Sequence, residues 1–109
     1  RYGASKITHQ KAYHWATKGS AALLGRNDIG EIAVGKQADL ALFKLDEMRF
    51  SGSHDALAAL LLCGAQKADR VMVAGNWKVV DGCIVGQDSS ELISRHSDAA
   101  KQLRQLSSI

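Results

Sequence analysis

Three short apolar runs separated by two-residue turns constrain this chain most. Arg70-Val71-Met72-Val73 and Trp77-Lys78-Val79-Val80 flank Gly75-Asn76, and Cys83-Ile84-Val85 follows Asp81-Gly82. Gly, Asn and Asp tolerate the positive φ that primed hairpin turns demand, so the spacing predicts three consecutive antiparallel strands. A fourth run of strand length, Leu40-Ala41-Leu42-Phe43, is entered through Ala38-Asp39. The other apolar patterns are helical, which makes the fold class α+β, a mixed architecture with a meander at its centre.

Helical periodicity begins after Thr8, a good N-cap preceded by Ile7, with Ala12, Trp15, Ala16 and Gly19 on one face. Gly19-Ser20 reads as an interruption. Ser20 to Leu24 reads as a further short turn closed by Gly25 in the left-handed conformation. Residues 26–37 read as connection around Gly30 and Gly35. Asp46 to Asp55 reads as a polar loop, with Asp55 the N-cap of a buried helix, Ala56 to Cys63, stopped at Gly64. From Asp88, with Glu91 in a capping-box position, Leu92, His96, Ala99, Leu103 and Leu106 recur at helical spacing and require a surface to lie on.

Composition excludes several classes. The 109 residues are 46% hydrophobic and 23% charged, the proportions of one globular domain at most. The longest unbroken apolar run, Ala56 to Cys63, is far below the roughly 18–20 residues of a membrane-spanning helix, so no membrane partner is expected. The net charge of +3 is dispersed rather than clustered, and the few aromatics are not interleaved with a basic stripe. Nucleic acid is therefore not an expected partner. A self-standing interaction or nucleic-acid module stays as the rival reading, supported only by charge and length. Cys63 and Cys83 lack a Cys-x-x-Cys pattern and fit free thiols in a reducing cytoplasm, although one bridge between them stays open. A start at Arg1, without Met or an apolar signal region, suits a processed product or a piece of a longer protein.

No residue is assigned a catalytic, cofactor-binding or metal-binding role. Gly30 to Gln37 nearly spells a phosphate-binding loop, but Gln37 stands where a hydroxyl must meet Mg²⁺, and the glycines precede a strand rather than a helix. Five helical positions separate His9 from His14, so their side chains diverge by roughly 140° and cannot chelate one ion together. His54-Asp55 lacks a nucleophile or third member, and Asp55 suits a cap better. His96 lies on the apolar stripe of the last helix.

The order of motifs resembles the C-terminal end of the metal-dependent amidohydrolases of the cytosine, guanine and chlorotriazine deaminase type. The pattern Ala-Thr-x-Gly-x-Ala-x-x-Leu-Gly of their last barrel helix stands here as Ala16-Thr17-Lys18-Gly19-Ser20-Ala21-Ala22-Leu23-Leu24-Gly25. Their following Gly-Lys-x-Ala-Asp-Leu segment stands as Ile29-Gly30 through Gly35-Lys36-Gln37-Ala38-Asp39-Leu40. Arg49-Phe50-Ser51-Gly52-Ser53-His54-Asp55, then Cys63-Gly64 and Ala68-Asp69-Arg70-Val71, are most similar to the 8-oxoguanine deaminases and their hydroxyatrazine-hydrolase relatives. Val34 and Ala56 replace prolines of that pattern, which alters loop rigidity rather than chemistry.

The resemblance implies a (β/α)₈ barrel joined to a composite β-sandwich, of which this chain is one end. Residues 1–27 would be terminal barrel helices, 28–87 part of the sandwich with an inserted helix near 55–63, and 88–109 a C-terminal helix. The family's metal ligands all precede the matched region, so none carries over to a residue here. In the parent a divalent metal, zinc or iron, would acidify the water that displaces ammonia from an amino-substituted N-heterocycle, an oxidised purine or a hydroxytriazine. This chain alone would bind no metal and be inactive. Its partners would be the remainder of the parent enzyme and, in isolation, further copies of itself.

Overall fold

In the computed structural model, residues 6–65 and 67–107 are described. The parts of the 1–27, 28–87 and 88–109 expectations that fall on residues 1–5, 66 and 108–109 lie outside them.

The first helix, α1 (His9–His14), starts where Thr8 in extended conformation accepts a bond from the Lys11 N–H. The expected break at Gly19-Ser20 is absent. Backbone angles stay right-handed through both residues, and the chain passes through a π-helical segment, Trp15–Gly19, into α2 (Ser20–Leu23). The wider turn frees carbonyls that hydroxyls then reach. Thr17 Oγ1 donates to the Tyr13 carbonyl at 2.8 Å, and Ser20 Oγ donates to that of Trp15 at 2.7 Å. The stop at Gly25 is as expected. At φ +68° its N–H bonds the Ala22 carbonyl while the Arg26 N–H bonds that of Ala21, the paired closure of a Schellman motif.

Residues 26–37 form a connection without regular structure. Strand β1 (Leu40–Leu42) follows and ends one residue before Phe43. The loop after it is less polar in character than its sequence suggests. A 3₁₀ turn, Met48–Phe50, drives Phe50 to 5% exposure, making it one of the few buried side chains. Helix α3 (Ala56–Leu62) is capped by Asp55, whose carboxylate accepts from the Leu57 and Ala58 N–H groups. Only Ala59 of this helix is buried, so the expectation of a buried helix is corrected to a half-covered one: its apolar residues outnumber the surfaces that meet them.

Strands β2 (Arg70–Val73), β3 (Asn76–Val80) and β4 (Cys83–Ile84) complete a single antiparallel sheet of order β1-β2-β3-β4. Both two-residue turns form, but the first sits one position earlier than expected. Ala74 (φ +49°) and Gly75 (φ +79°) make it, and Asn76 already pairs with Val73. Ala is a poor residue for positive φ, which is why the turn is misplaced when read from composition. The second turn is Asp81-Gly82 as expected, with Val85 beyond the strand end. Pairing of Val71 with Val79 but Met72 with Trp77 leaves Lys78 as an extra residue on β3.

Finally α4 (Ser89–Ser107) begins at Asp88, whose carboxylate accepts from the Ser90 N–H. None of its residues is buried, and Leu92, Leu103 and Leu106 of the expected stripe all face solvent.

The core is correspondingly thin. Ala21, Phe50 and Ala59 are its buried apolar members among the described residues. The accessible surface is 8967 Å², against roughly 5,900 Å² for a compact chain of this mass. The radius of gyration is 19.0 Å, where about 13 Å is usual at this length. Trp15, Leu23 and Ile32 are 55%, 90% and 87% exposed. Apolar faces of this extent lack covering surfaces within the chain itself.

Candidate functional site

A polar feature that joins distant parts of the chain is built on α1 and α3. His9 opens α1, and its Nε2 stands 2.9 Å from Oδ2 of Asp55, the cap of α3. The other oxygen of the same carboxylate, Oδ1, takes the N–H groups of Leu57 and Ala58 at 2.9 and 3.0 Å. One carboxylate thus caps the start of one helix and grips the start of another. Its pKa falls below the usual 3.8, first through the Ala58 N–H bond and then through His9 and the Leu57 N–H, with partial desolvation opposing. Tyr13, one turn after His9, lines an apolar cleft with Phe43, Leu45, Leu57 and Leu60, so a greasy seam runs beside the polar bridge.

The sequence offered His54-Asp55 as a pair, but the structure gives Asp55 a different partner. His54 points to its own shallow cleft with Phe50, Ser53 and Ala59. Nothing local marks the true pairing, since His9 and Asp55 are 46 positions apart. Among the described residues no Ser, Thr or Cys side chain hydrogen-bonds His9, so the bridge holds structure and has no nucleophile to activate.

The remaining candidates resolve simply. Gly30 (φ +86°) packs its backbone against Ala21 and Thr17, and Lys36 pairs with Glu31 and donates to the Asn27 carbonyl, so the near phosphate loop is a structural connection. Lys18 also pairs with Glu31 at 2.7 Å, and these two lysines hold its carboxyl below the usual 4.5. Arg26 grips Asp28 through two bonds of 2.9 and 2.6 Å. Lys44, paired with Asp69 at 3.0 Å, is raised above its usual range by that carboxylate. His14 and His96 are exposed, as are Cys63 and Cys83, which are free thiols.

Among the described residues no three His, Cys, Asp or Glu side chains converge as a metal site would require. These residues do not fit a resident metal ion. No helix among them is long and apolar enough to cross a membrane.

Comparison with known proteins gives the context. The chain is 68% identical over 103 residues to 8-oxoguanine deaminase of Pseudomonas aeruginosa, a match covering 94% of this chain and 23% of that protein. It superposes with a TM-score of 0.83 and 31% identity on an amidohydrolase from an environmental sample of the Sargasso Sea, over 97% of this chain and 25% of the other. It superposes likewise on the zinc-complexed atrazine chlorohydrolase of Arthrobacter aurescens TC1, with a TM-score of 0.74 and 29% identity over 84% and 20% of the two chains. The chain thus spans about a quarter or less of the length of the relatives it matches. The model of the amidohydrolase family matches residues 2–85, and the chain belongs to that family.

Proposed function

We propose that this chain is the C-terminal structural portion of a metal-dependent amidohydrolase that hydrolytically deaminates an amino-substituted N-heterocycle, 8-oxoguanine or a related purine, with a hydroxytriazine as the alternative ring. The observation that carries this reading is the 68% identity to an 8-oxoguanine deaminase along nearly the whole chain. In this reading water adds at the amino-bearing ring carbon, the carbon–nitrogen bond breaks, and ammonia leaves as the ring carbonyl forms. The catalytic groups and the ligands of a divalent metal, zinc or iron, belong to the rest of the protein. Zinc accompanies the related chlorohydrolase.

Residues 1–27 then act as the last barrel helices, 28–87 as part of a two-sheet domain whose other strands come from the preceding chain, and 88–109 as a closing helix. The uncovered faces of α2, α3 and α4 support this placement, because each needs a surface that the chain does not supply. Cytoplasmic location, a small planar substrate, and no nucleic-acid or membrane partner belong to the same reading.

Release of ammonia from guanine, 8-oxoguanine and cytosine, and of an alkylamine from hydroxyatrazine, by the full-length enzyme tests it. The expected order places 8-oxoguanine first. Activity confined to non-aromatic amides refutes the deaminase reading.

A further inference from the structure

We infer that His9 and Asp55 are positioning residues of the substrate entrance, holding the segment 46–55 at the catalytic end of the barrel; the inference rests on the function proposed above. In a (β/α)₈ barrel each helix starts where the preceding strand ends, and that end carries the chemistry. If α1 is the last barrel helix, its first residue stands there. That residue is His9.

Asp55 is bound to His9 at 2.9 Å, so the C-terminal end of segment 46–55 is fixed at the same end of the barrel. The segment is held at further points. Phe50 is buried, Arg49 Nη1 donates to the Gly64 carbonyl at 3.0 Å, and Ser53 Oγ donates to the Asp55 carbonyl at 3.0 Å. Between these anchors Ser51, Gly52, Ser53 and His54 are exposed. A short polar arc pinned at both ends is suited to meet the edge of a planar N-heterocycle, whose ring nitrogens and carbonyls need donors and acceptors at fixed places. Neither His9 nor the Asp55 carboxylate needs to touch substrate, because both are occupied with each other and with the α3 cap.

The bridge can be removed from either side without losing the cap. In Asp55→Ser the side chain still caps α3, since Ser ranks with Asp at that position, but is too short to reach His9. In His9→Ala the cap is untouched. In the full-length enzyme each substitution is expected to raise KM for the heterocycle about five- to tenfold, with kcat within about twofold. The double variant should be no worse than either single one, because both remove one interaction. His9→Gln, whose amide N–H can reach the carboxylate, should recover most of the lost affinity.

An unchanged KM in both single variants overturns the inference, as does a parallel fall of kcat and thermal midpoint with KM unchanged, which marks a purely structural bond. Failure of the function itself is separable, because the unmodified enzyme then releases neither ammonia nor an alkylamine from any of the four heterocycles.

Discussion

Oδ1 of Asp39 accepts the backbone N–H of Ala74 at 2.7 Å, across 35 positions of sequence. The Gly75 N–H also bonds the Ala38 carbonyl, so the entry to β1 is stitched to the turn between β2 and β3. Asp39→Ala removes the acceptor of a turn amide and should cost about 1 kcal/mol locally. Amide exchange at Val73 and Asn76 in the full-length protein should then quicken by roughly fivefold, while Asp39→Asn keeps most of the protection. Equal exchange in wild type and Asp39→Ala would show the bond to be dispensable.

The same turn carries a correctable flaw. Ala74 adopts φ +49° ahead of Gly75, where an Asn-Gly pair is the favoured chemistry. Ala74→Asn should stabilise the hairpin by about 0.5–1 kcal/mol, seen as slower amide exchange in β2 and β3.

Gly30 is confined on every count. At φ +86° an added Cβ would lie 2.9 Å from the Ala21 Cβ and 3.0 Å from the Thr17 carbonyl oxygen. Gly30→Ala should destabilise the packing of the connection on α2 by about 2–4 kcal/mol, lowering the thermal midpoint of the full-length enzyme. Gly35→Ala, with open space around it but φ +82°, should cost less.

Acid should loosen the same connection. Lys18 and Lys36 hold the Glu31 carboxyl below its usual 4.5, so the stabilisation is fully present above that value and disappears as pH falls through the lowered folded-state pKa. Carboxyl chemical shifts followed from pH 6 to pH 2 should show Glu31 titrating low, and Lys18→Met with Lys36→Met should return it toward the ordinary range.

The 109-residue chain purified alone should release no ammonia from any heterocycle, retain no stoichiometric zinc after chelation and re-addition, and self-associate at micromolar concentration. Its uncovered leucines and its sheet edges, β1 and β4, lack partners. Sedimentation and metal analysis check this. A cooperatively unfolding monomer, or one tightly held ion per chain, would contradict it.

Much of the local structure is legible because short-range chemistry decides it. Thr8 and Asp55 cap their helices, Gly25 stops α2, and the runs around residues 70–85 pair as a meander, each within a few residues of its signal. The errors fall where local preference loses. Gly19 and Ser20 favour a break, yet two hydroxyls sustain a π segment. Phe50 is buried from within a polar stretch, and Ala74 accepts a positive φ that its Cβ disfavours. The bridge from His9 to Asp55 has no signal in either neighbourhood. It exists because α1 and α3 pack together, a fact of tertiary arrangement.

The π segment between His14 and Ser20 gives this helix a built-in tolerance of length. A wide turn stores one more residue than an ordinary α-turn over nearly the same axial rise. Loss of one residue from 15–19 therefore converts the segment to plain α-helix and leaves the flanking halves in phase, with His9 still aimed at Asp55 and Ala21 still under Gly30. A one-residue deletion elsewhere in the same helix has no such slack and would rotate one half against the other by about 100°. Indels in kindred proteins should therefore gather at this turn, making it the joint at which the helix changes length without changing what its two ends hold.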